Sequence, residues 1–442
     1  MWEELLEVNE FDDVDILRRR AMGTSFLGEV GRKQGTKTSL SEALRNHKKS
    51  LELYREHSKR TGEEKFVAVQ EDMVGLAYFE LREYVEAAKH HQVSLDMKKK
   101  INLNATVHIT LGNLGRALQL MGKFGSAKDV FAESLQYRLS VSSSNRWARA
   151  EAAEMMLGGL ATMRGRPLEA IKHLTSAVTT FESKPVSEYR DRELPRAYML
   201  RGAAKTQIGK YNAAKEDVEQ ALGAQRKLYG GYSAVHRTVA ISLIECGTVH
   251  LRLQDAEKAR QFFVDAVVML DCLFEDDVVN EDRMRARSFI GACDIEQGKH
   301  GVGLERLRLQ KDALDHLKDS SSIGQRVNAQ IYRHLSRAHF VGGNFDQAIK
   351  HAVQASTICE QLYGNSYHTL EALALEWTAR VERARRQRSD VGTFQGLKDR
   401  VLQMAQSVLG QSAQDHPMLR ALYEQLEASP AFKRARRGVR AE

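Results

Sequence analysis

Cysteine and proline are scarce in this 442-residue chain, which contains four cysteines and five prolines. None of the cysteines belongs to a Cys-x-x-Cys pair, the spacing that redox and zinc motifs use. Four thiols without such a pair in so long a chain predict reduced, mostly buried cysteines in an intracellular protein. No long Ser-, Gly- or Pro-rich linker interrupts the sequence, which predicts one extended domain rather than several domains joined by hinges.

Long apolar runs are missing as well. No stretch approaches the roughly 18 apolar residues that a membrane-spanning helix needs. The first four residues, Met-Trp-Glu-Glu, are acidic, whereas a secretory signal or a transit peptide would begin with basic residues. The sequence therefore predicts a soluble, cytoplasmic protein that no membrane anchors.

Signatures of catalysis and metal binding are also lacking. The stretch Gly31-x-x-x-Gly35-Thr36-Lys37 differs from a phosphate loop, which has four residues between its glycines and a lysine directly after the second. The fifteen histidines include no His-Glu-x-x-His pair and no His/Cys cluster at zinc spacing. The many carboxylates lie on solvated helical faces, without a pocket that would shift their pKa. We therefore predict no enzymatic activity, no metal site and no cofactor.

The net charge of +8 is concentrated near the C-terminus. Residues 380–388 carry a net charge of +4 and residues 433–440 a net charge of +5, so the rest of the chain is nearly neutral. The basic C-terminal patch consists of Arg380, Arg383, Arg385, Arg386, Arg388, Lys433, Arg434, Arg436, Arg437 and Arg440. Because affinity for nucleic acid rises with the number of phosphates neutralised, the neutral body is a poor general nucleic-acid surface. The patch itself suits an acidic protein surface or a nucleic-acid backbone, or it is a solubilising tail.

A small residue recurs at a period of 40 to 45 residues. This register consists of Ala43, Ala87, Ala127, Ala170, Ala214, Ala259, Gly303 and Ala348. A second register lies twelve residues earlier and consists of Gly31, Gly75, Gly115, Gly158, Gly202, Gly247, Gly291 and Ser336. Glycine costs about 1 kcal/mol inside a helix, so its recurrence predicts a point where two helices cross closely. Each period is then a helical hairpin, which must stack on its neighbours to bury its apolar faces.

The strongest copy contains Leu111-x-x-Leu114-Gly115, followed by Ala127-x-x-x-Phe131. This pattern resembles the tetratricopeptide repeat, although the repeats here exceed the 34-residue standard by about ten residues. His47 and His91 stand where other copies have an aromatic residue such as Phe131, so we expect them to be packing residues rather than metal ligands.

The long repeats are similar to those of kinesin light chains, Pins-type spindle adaptors and Tonsoku-like proteins. Between copies, Leu228-Tyr229-Gly230 with His236 resembles the Tyr–His connection of kinesin light chain repeats. Leu362-Tyr363-Gly364 with His368 resembles the same connection. The resemblance implies an all-α fold, a right-handed superhelical solenoid of eight to nine helical hairpins. We expect a capping segment at residues 1–20, eight repeats at 21–368, a degenerate ninth hairpin with a capping helix at 369–429, and a basic flexible tail at 430–442.

In this family the first helix of each hairpin lines the inner face, and the resemblance implies which side chains lie there. The predicted groove residues are Asn113, Arg116, Met155, Met156, Arg196, Arg252, Arg285, Arg333, His334 and Arg337. A cationic stripe beside methionines suits an extended partner segment with acidic and hydrophobic residues, although these could be ordinary exposed side chains. The resemblance implies a non-catalytic scaffold or adaptor in a cytoskeletal, motor or axonemal assembly. Tubulin is then a candidate partner, and the expected localisation is cytoplasmic, on the cytoskeleton or in the cilium. The alternative is a subunit of a nucleic-acid-associated complex that uses the basic C-terminal patch.

Overall fold

The computed structural model describes residues 13–34, 37–141, 150–231, 235–274, 280–316, 321–389 and 391–420. In this part of the chain the regular structure is entirely helical, with no β-strand, so the predicted all-α class is confirmed. The chain forms two compact units, which divide between Leu157 and Gly158. We call them unit 1 and unit 2 and describe each by itself.

Unit 1 contains three consecutive helical hairpins. Their helices are α1 (Asp13–Gln34), α2 (Lys37–Thr61), α3 (Lys65–Glu80), α4 (Tyr84–Lys100), α5 (Asn104–Leu120) and α6 (Phe124–Val141). Each helix packs on the next one along the chain, as the repeat period predicts.

Helix α7 (Ala150–Met163) crosses the boundary between the units, and the remaining helices belong to unit 2. These are α8 (Pro167–Ser183), α9 (Glu188–Gln207), α10 (Tyr211–Leu228), α11 (Arg237–Arg252), α12 (Ala256–Leu273), α13 (Glu281–Glu296), α14 (His300–His316), α15 (Ser322–Val341), α16 (Phe345–Tyr363), α17 (Tyr367–Arg386), α18 (Gln395–Leu409) and α19 (Ser412–Asp415). Short 3₁₀ turns at Val391–Phe394 and Pro417–Leu419 flank the last two helices.

The recurring glycines lie where the two helices of a hairpin cross. A Cβ atom added to Gly75 would lie 2.7 Å from the ring of His91, and one added to Gly247 would lie 2.8 Å from the ring of Phe263. These distances are too short for carbon atoms in a packed core, so only glycine fits there. The position of His91 in unit 1 matches that of Phe263 in unit 2, which confirms His91 as a packing residue.

The turn between the two helices of a hairpin uses left-handed backbone. Residues with positive φ recur there in eight successive hairpins: Arg82, Gly122, Gly165, Gly209, Gln254, Gly298, Gly343 and Arg388. Glycine adopts this conformation without strain, whereas Arg82, at φ 66°, bears a cost of about 1–2 kcal/mol. Arg388 extends the pattern to α17 and α18, which pack together as a ninth pair.

The ends of the chain differ from the predicted boundaries in one respect. Residues 13–20, which we assigned to a capping segment, are the first turns of α1, because neither glycine nor proline interrupts the helix there. Residues 1–12 and the tail at 430–442 lie outside the described residues. The predicted capping helix also falls mostly outside them, and its first residues form the 3₁₀ turn Pro417–Leu419.

Candidate binding face

The first helices of successive hairpins lie side by side in unit 2. Helices α9, α11, α13, α15 and α17 contact one another in this order, and we call them the inner layer. Ion pairs between neighbouring helices connect the layer. Arg237 on α11 lies 2.8 Å from Asp282 on α13, and Arg326 on α15 lies 2.7 Å from Glu281 on α13. The repeat period thus places complementary charges at matching positions.

Helix α17 also contacts residues that precede it by about two hundred positions. The backbone N–H of Tyr367 donates to the carbonyl of Gly165 at 2.9 Å, and Nε2 of His368 lies 3.1 Å from the carbonyl oxygen of Met163. The guanidinium of Arg326 lies 3.5 Å from the sulfur of Met163. The last hairpin of unit 2 therefore packs against its first one.

Apolar packing supports the same closure. Ile171 on α8 and Ile208, just after α9, belong to one cluster with Leu370, Leu409 and Leu419 from the C-terminal elements. Burial of such side chains stabilises a fold by about 1.5–3 kcal/mol each. Unit 2 is therefore held closed by a core and not only by polar contacts.

Glu371 lies at the centre of this closure. Arg333 donates to its carboxylate at 2.6 Å, and Arg252, 119 residues earlier in the chain, donates to the other oxygen. Burial alone would raise the pKa of Glu371, but the two guanidinium groups outweigh it and hold the pKa far below its ordinary value. The side chain of Arg252 remains 33% exposed, so solvent reaches this Glu371 site.

Three histidines surround the Glu371 site and are uncharged at neutral pH. Burial, together with the charges of nearby arginines, lowers the pKa of His334 to about 3 and the pKa of His368 and His416 to about 4. The positive charge of the site is therefore that of its arginines alone.

The predicted groove residues of unit 1 differ in their surroundings. Asn113 lies 3.4 Å from Asp72, and the guanidinium of Arg116 lies 4.7 Å from the ring centre of Phe79. Met156 lies against Gly112, where it is partly exposed. Met155 is only 4% exposed, which corrects its placement on the inner surface: it is a core residue.

The predicted groove arginines of unit 2 are all paired within the chain. Besides the two at Glu371, Arg196 pairs with Glu193, Arg285 with Glu245 and Arg337 with Glu296, at 2.6, 3.2 and 2.5 Å. His334 packs edge-on against Phe289, with ring centres 5.0 Å apart. The arginines of the predicted cationic stripe therefore form a layer of ion pairs, because acidic partners come from neighbouring turns and helices that the small-residue register does not mark.

The described part of the basic C-terminal patch is largely neutralised too. Arg380 pairs with Glu376 at 2.8 Å and Arg383 with Asp346 at 2.6 Å. Arg385 and Arg386 share Glu382. The segment from Lys433 to Arg440 lies outside the described residues, and the nucleic-acid alternative now depends on it.

Sequence reasoning missed a buried polar cluster in unit 1. Nδ1 of His91 lies 2.6 Å from Asp72, and Nζ of Lys98 lies 2.7 Å from the hydroxyl of Thr110 and 3.7 Å from Asp72. Burial would raise the pKa of Asp72, but the hydrogen bond from His91 and the charge of Lys98 lower it. The sequence contained a signal for this cluster. Asp72 precedes the crossing glycine Gly75 by three residues, about one helical turn, so both lie on the buried face of α3 and the carboxylate needs a partner there.

Two absences hold for the residues that the structure describes. No helix among them is both long and apolar enough to span a membrane. Nor do they contain a group of three or more His, Cys, Asp or Glu side chains that could hold a metal ion.

Comparison with known proteins identifies the repeat directly. Residues 195–228, which comprise the second part of α9 and all of α10, match the tetratricopeptide repeat. The additional length of the period therefore lies in the connection between hairpins and in the first turns of each first helix. No curated protein sequence matches the chain.

Solved structures share the architecture at low identity. A Rap protein complexed with Competence and Sporulation Factor is 14% identical, with a TM-score of 0.57 over 81% of this chain and 90% of that one. The apo form of the quorum sensor NprR from B. thuringiensis is 12% identical, with a TM-score of 0.52 over 83% and 97% of the two chains. At these identities the likeness concerns the fold alone.

Proposed function

Because the chain is a tetratricopeptide-repeat protein, we propose that it is a non-catalytic scaffold that binds extended or acidic protein segments on the inner layer of unit 2. The observation that carries this proposal is the Glu371 site. There the inner layer already holds a carboxylate of its own chain through Arg252 and Arg333. An acidic residue of a partner has the same chemistry and competes for the same guanidinium groups.

The exposure of this site supports such an exchange. Solvent reaches the side chain of Arg252, so an incoming carboxylate can approach without prior unfolding of a helix. The Rap protein of similar fold was crystallised with Competence and Sporulation Factor, and this precedent supports a search for a bound partner on this fold.

Within this proposal, the partner belongs to a cytoskeletal, motor or axonemal assembly, and the acidic tail of tubulin is the first candidate. The protein would then reside in the cytoplasm, on the cytoskeleton or in the cilium. The connections that resemble those of kinesin light chains support this choice. In them, Tyr229 stacks on His236 with ring centres 3.7 Å apart, and Tyr363 lies 5.1 Å from His368.

Fluorescence anisotropy tests the proposal with a labelled Glu-rich peptide, a Gln-matched peptide and a peptide copying the tail of tubulin. Glu371→Gln removes the internal competitor and should raise affinity for the Glu-rich peptide about tenfold, whereas Arg333→Gln should lower it about tenfold. The Gln-matched peptide should respond to neither change.

The control is Arg287→Gln, since Arg287 lies on α13 and is exposed, with its ion pair to Asp271 away from Glu371. Wild-type affinity in both Glu371→Gln and Arg333→Gln would contradict binding at the inner layer. If the Glu-rich peptide binds and the tubulin peptide does not, the scaffold proposal stands and tubulin is rejected as the partner.

A further inference from the structure

An open pocket of about 430 Å³ lies between α14, α15 and α16 of unit 2, away from the Glu371 site. Six of its side chains carry N–H groups: Arg308, Lys311, His339, Asn344, Gln347 and His351. One carboxylate, Asp312, also lines it. A concentration of donors in a concave site favours a ligand that brings acceptors.

The two histidines belong to a column of stacked groups. The rings of His339 and His351 lie 5.4 Å apart at an angle of 19°, and Tyr332 stacks on His351 at 5.7 Å. Lys311 lies over the ring of Tyr332, at 5.1 Å from its centre. The ammonium group of Lys311 thus lies at the Tyr332 end of the column.

The proton position on His351 follows from its neighbour. Its Nδ1 lies 3.1 Å from Oε1 of Gln354, and because this oxygen can only accept, Nδ1 donates. Neutral His351 therefore has an unprotonated Nε2, which repels an anion. Protonated His351 has a second N–H there, which attracts one.

Charges from each surrounding helix act on the two rings. Burial lowers the pKa of both His339 and His351, and the charge of Arg308 on α14 lowers both further. Lys350 on α16 and Lys311 on α14 also lower the pKa of His351. Among the described residues Arg308 has no ion-pair partner, whereas Lys311 pairs with Asp315. The pocket also adjoins Asn344, the N-cap of the 19-residue helix α16, where the helix dipole favours negative charge.

We propose that this pocket, formed by Arg308, Lys311, Asn344, Gln347 and the stacked His339–His351 pair, binds a phosphoryl-type oxyanion. A bound oxyanion accepts hydrogen bonds from the donors of all three helices. It also offsets the repulsion that Arg308 exerts on the imidazoles once they are protonated. A metal ion would need three or more ligating side chains together, and the described residues contain no such group.

Proton linkage gives the site a pH dependence of defined sign. The bound oxyanion stabilises protonated imidazole and so raises the pKa of His339 and His351 from their lowered values. Binding is then coupled to proton uptake, and affinity rises as pH falls from about 7.5 to about 5.5, by about tenfold for each unit of pKa increase. Sulfate is the suitable first probe, because its own charge is constant over this range.

Isothermal titration calorimetry of sulfate into the full chain at about pH 7.5, 6.5 and 5.5 tests the site. Wild-type protein should bind more tightly at each lower pH. His351→Gln should make the increase in sulfate affinity between about pH 7.5 and 5.5 about tenfold smaller. Arg308→Gln should weaken sulfate binding about tenfold at every pH. Arg308 is an exposed residue, so its variant tests the site without endangering the fold.

His316→Gln is the matched control, because His316 is exposed on α14 outside the pocket. Equal sulfate affinity in His351→Gln, Arg308→Gln and His316→Gln, or pH-independent binding to the wild type, would overturn the proposal. Circular dichroism of each variant separates loss of binding from loss of helix.

Two sources of the oxyanion are distinguished by further titrations with inorganic phosphate, a phosphoserine peptide and the same peptide with serine. Tighter binding of the phosphopeptide than of inorganic phosphate supports a phosphorylated protein as the ligand, and the reverse order supports the free ion. A serine peptide that binds as tightly as its phosphorylated form would overturn the oxyanion site. Because Glu371 does not line this pocket, failure here and failure of the scaffold proposal are separable.

Discussion

Two buried carboxylates connect helices in the two units, and their partners come from very different distances along the sequence. In unit 1, Asp72 is held by His91 and Lys98, both within 26 residues of it. In unit 2, Glu371 is held by Arg333, 38 residues earlier, and by Arg252, 119 residues earlier. The repeat period brings His91 and Lys98 to Asp72, since both lie on α4, the helix that follows α3 in the same hairpin. Only the closure of unit 2 brings Arg252 to Glu371.

The two sites also differ in access to solvent. Asp72 and Lys98 are each 2% exposed, so their ion pair is sealed within the core. At the other site Arg252 is one-third exposed, and water or a ligand can reach its guanidinium. A sealed pair can only stabilise the fold, whereas an accessible pair can exchange one carboxylate for another. This difference is the reason to place binding at Glu371 and not at Asp72.

The largest effect should come from Asp72→Ala. Lys98 would keep its place in the core without a counter-charge, and breaking a buried pair in this way costs about 3–5 kcal/mol. Hydrogen–deuterium exchange followed by mass spectrometry should show faster exchange across α3, α4 and α5. Asp96→Ala, at an exposed position of α4, is the control and should change little. Unchanged protection of α4 would mean that Asp72 does not hold Lys98.

A smaller effect should follow Glu371→Ala. Its arginines lose their shared partner, but water can solvate Arg252, so we expect a cost of about 2 kcal/mol. Exchange should quicken in α17 while α3 to α5 keep their protection. Glu360→Ala, which removes a half-exposed partner of Arg400, should cost less than about 1 kcal/mol. If Glu371→Ala destabilised as much as Asp72→Ala, the contrast between sealed and accessible pairs would be lost.

Acid should destabilise unit 2 through its buried histidines, by at most about 1.4 kcal/mol per pH unit for each histidine. His368 has a folded pKa of about 4, below its unfolded value, so the folded state binds fewer protons and stability falls as pH drops from about 6.5 towards 4. His368→Gln should flatten this loss by about 1.4 kcal/mol per pH unit at most. Denaturant titrations of the wild type and the variant at several pH values measure this pH dependence of the free energy of unfolding. An identical pH slope in the variant would show that His368 is already charged in the folded protein.

The regular part of the fold was predictable because it is local. Glycine at a helix crossing and a small partner twelve residues later are required in every hairpin, so one chain repeats the constraint often enough to be recognised. The turns were partly predictable for the same reason, since Gly122 and its counterparts meet a backbone requirement. Arg82 and Gln254 meet the same requirement without glycine, and no sequence rule identifies them.

The candidate binding face was only partly predictable. Position in the repeat correctly placed Arg252 and Arg333 on first helices, but it carried no information on Glu371, which belongs to the degenerate last hairpin. Charge pairing depends on which helix lies opposite, and in unit 2 that helix comes from the far end of the chain. Met155 was misplaced for a related reason, because an apolar side chain at the edge of a helix face turns towards whichever neighbour buries it.

Closure of unit 2 also has a consequence for the order of events during translation. In the first hairpins Arg32 pairs with Glu80 across 48 residues, whereas the carbonyl of Met163 meets His368 only 205 residues later. At about 5–20 residues per second, the ribosome needs about 10–40 seconds to make that interval. Until then the nascent chain presents Arg252 without Glu371. Under the proposed function, a partner segment that met the protein on the ribosome would therefore compete with no internal carboxylate.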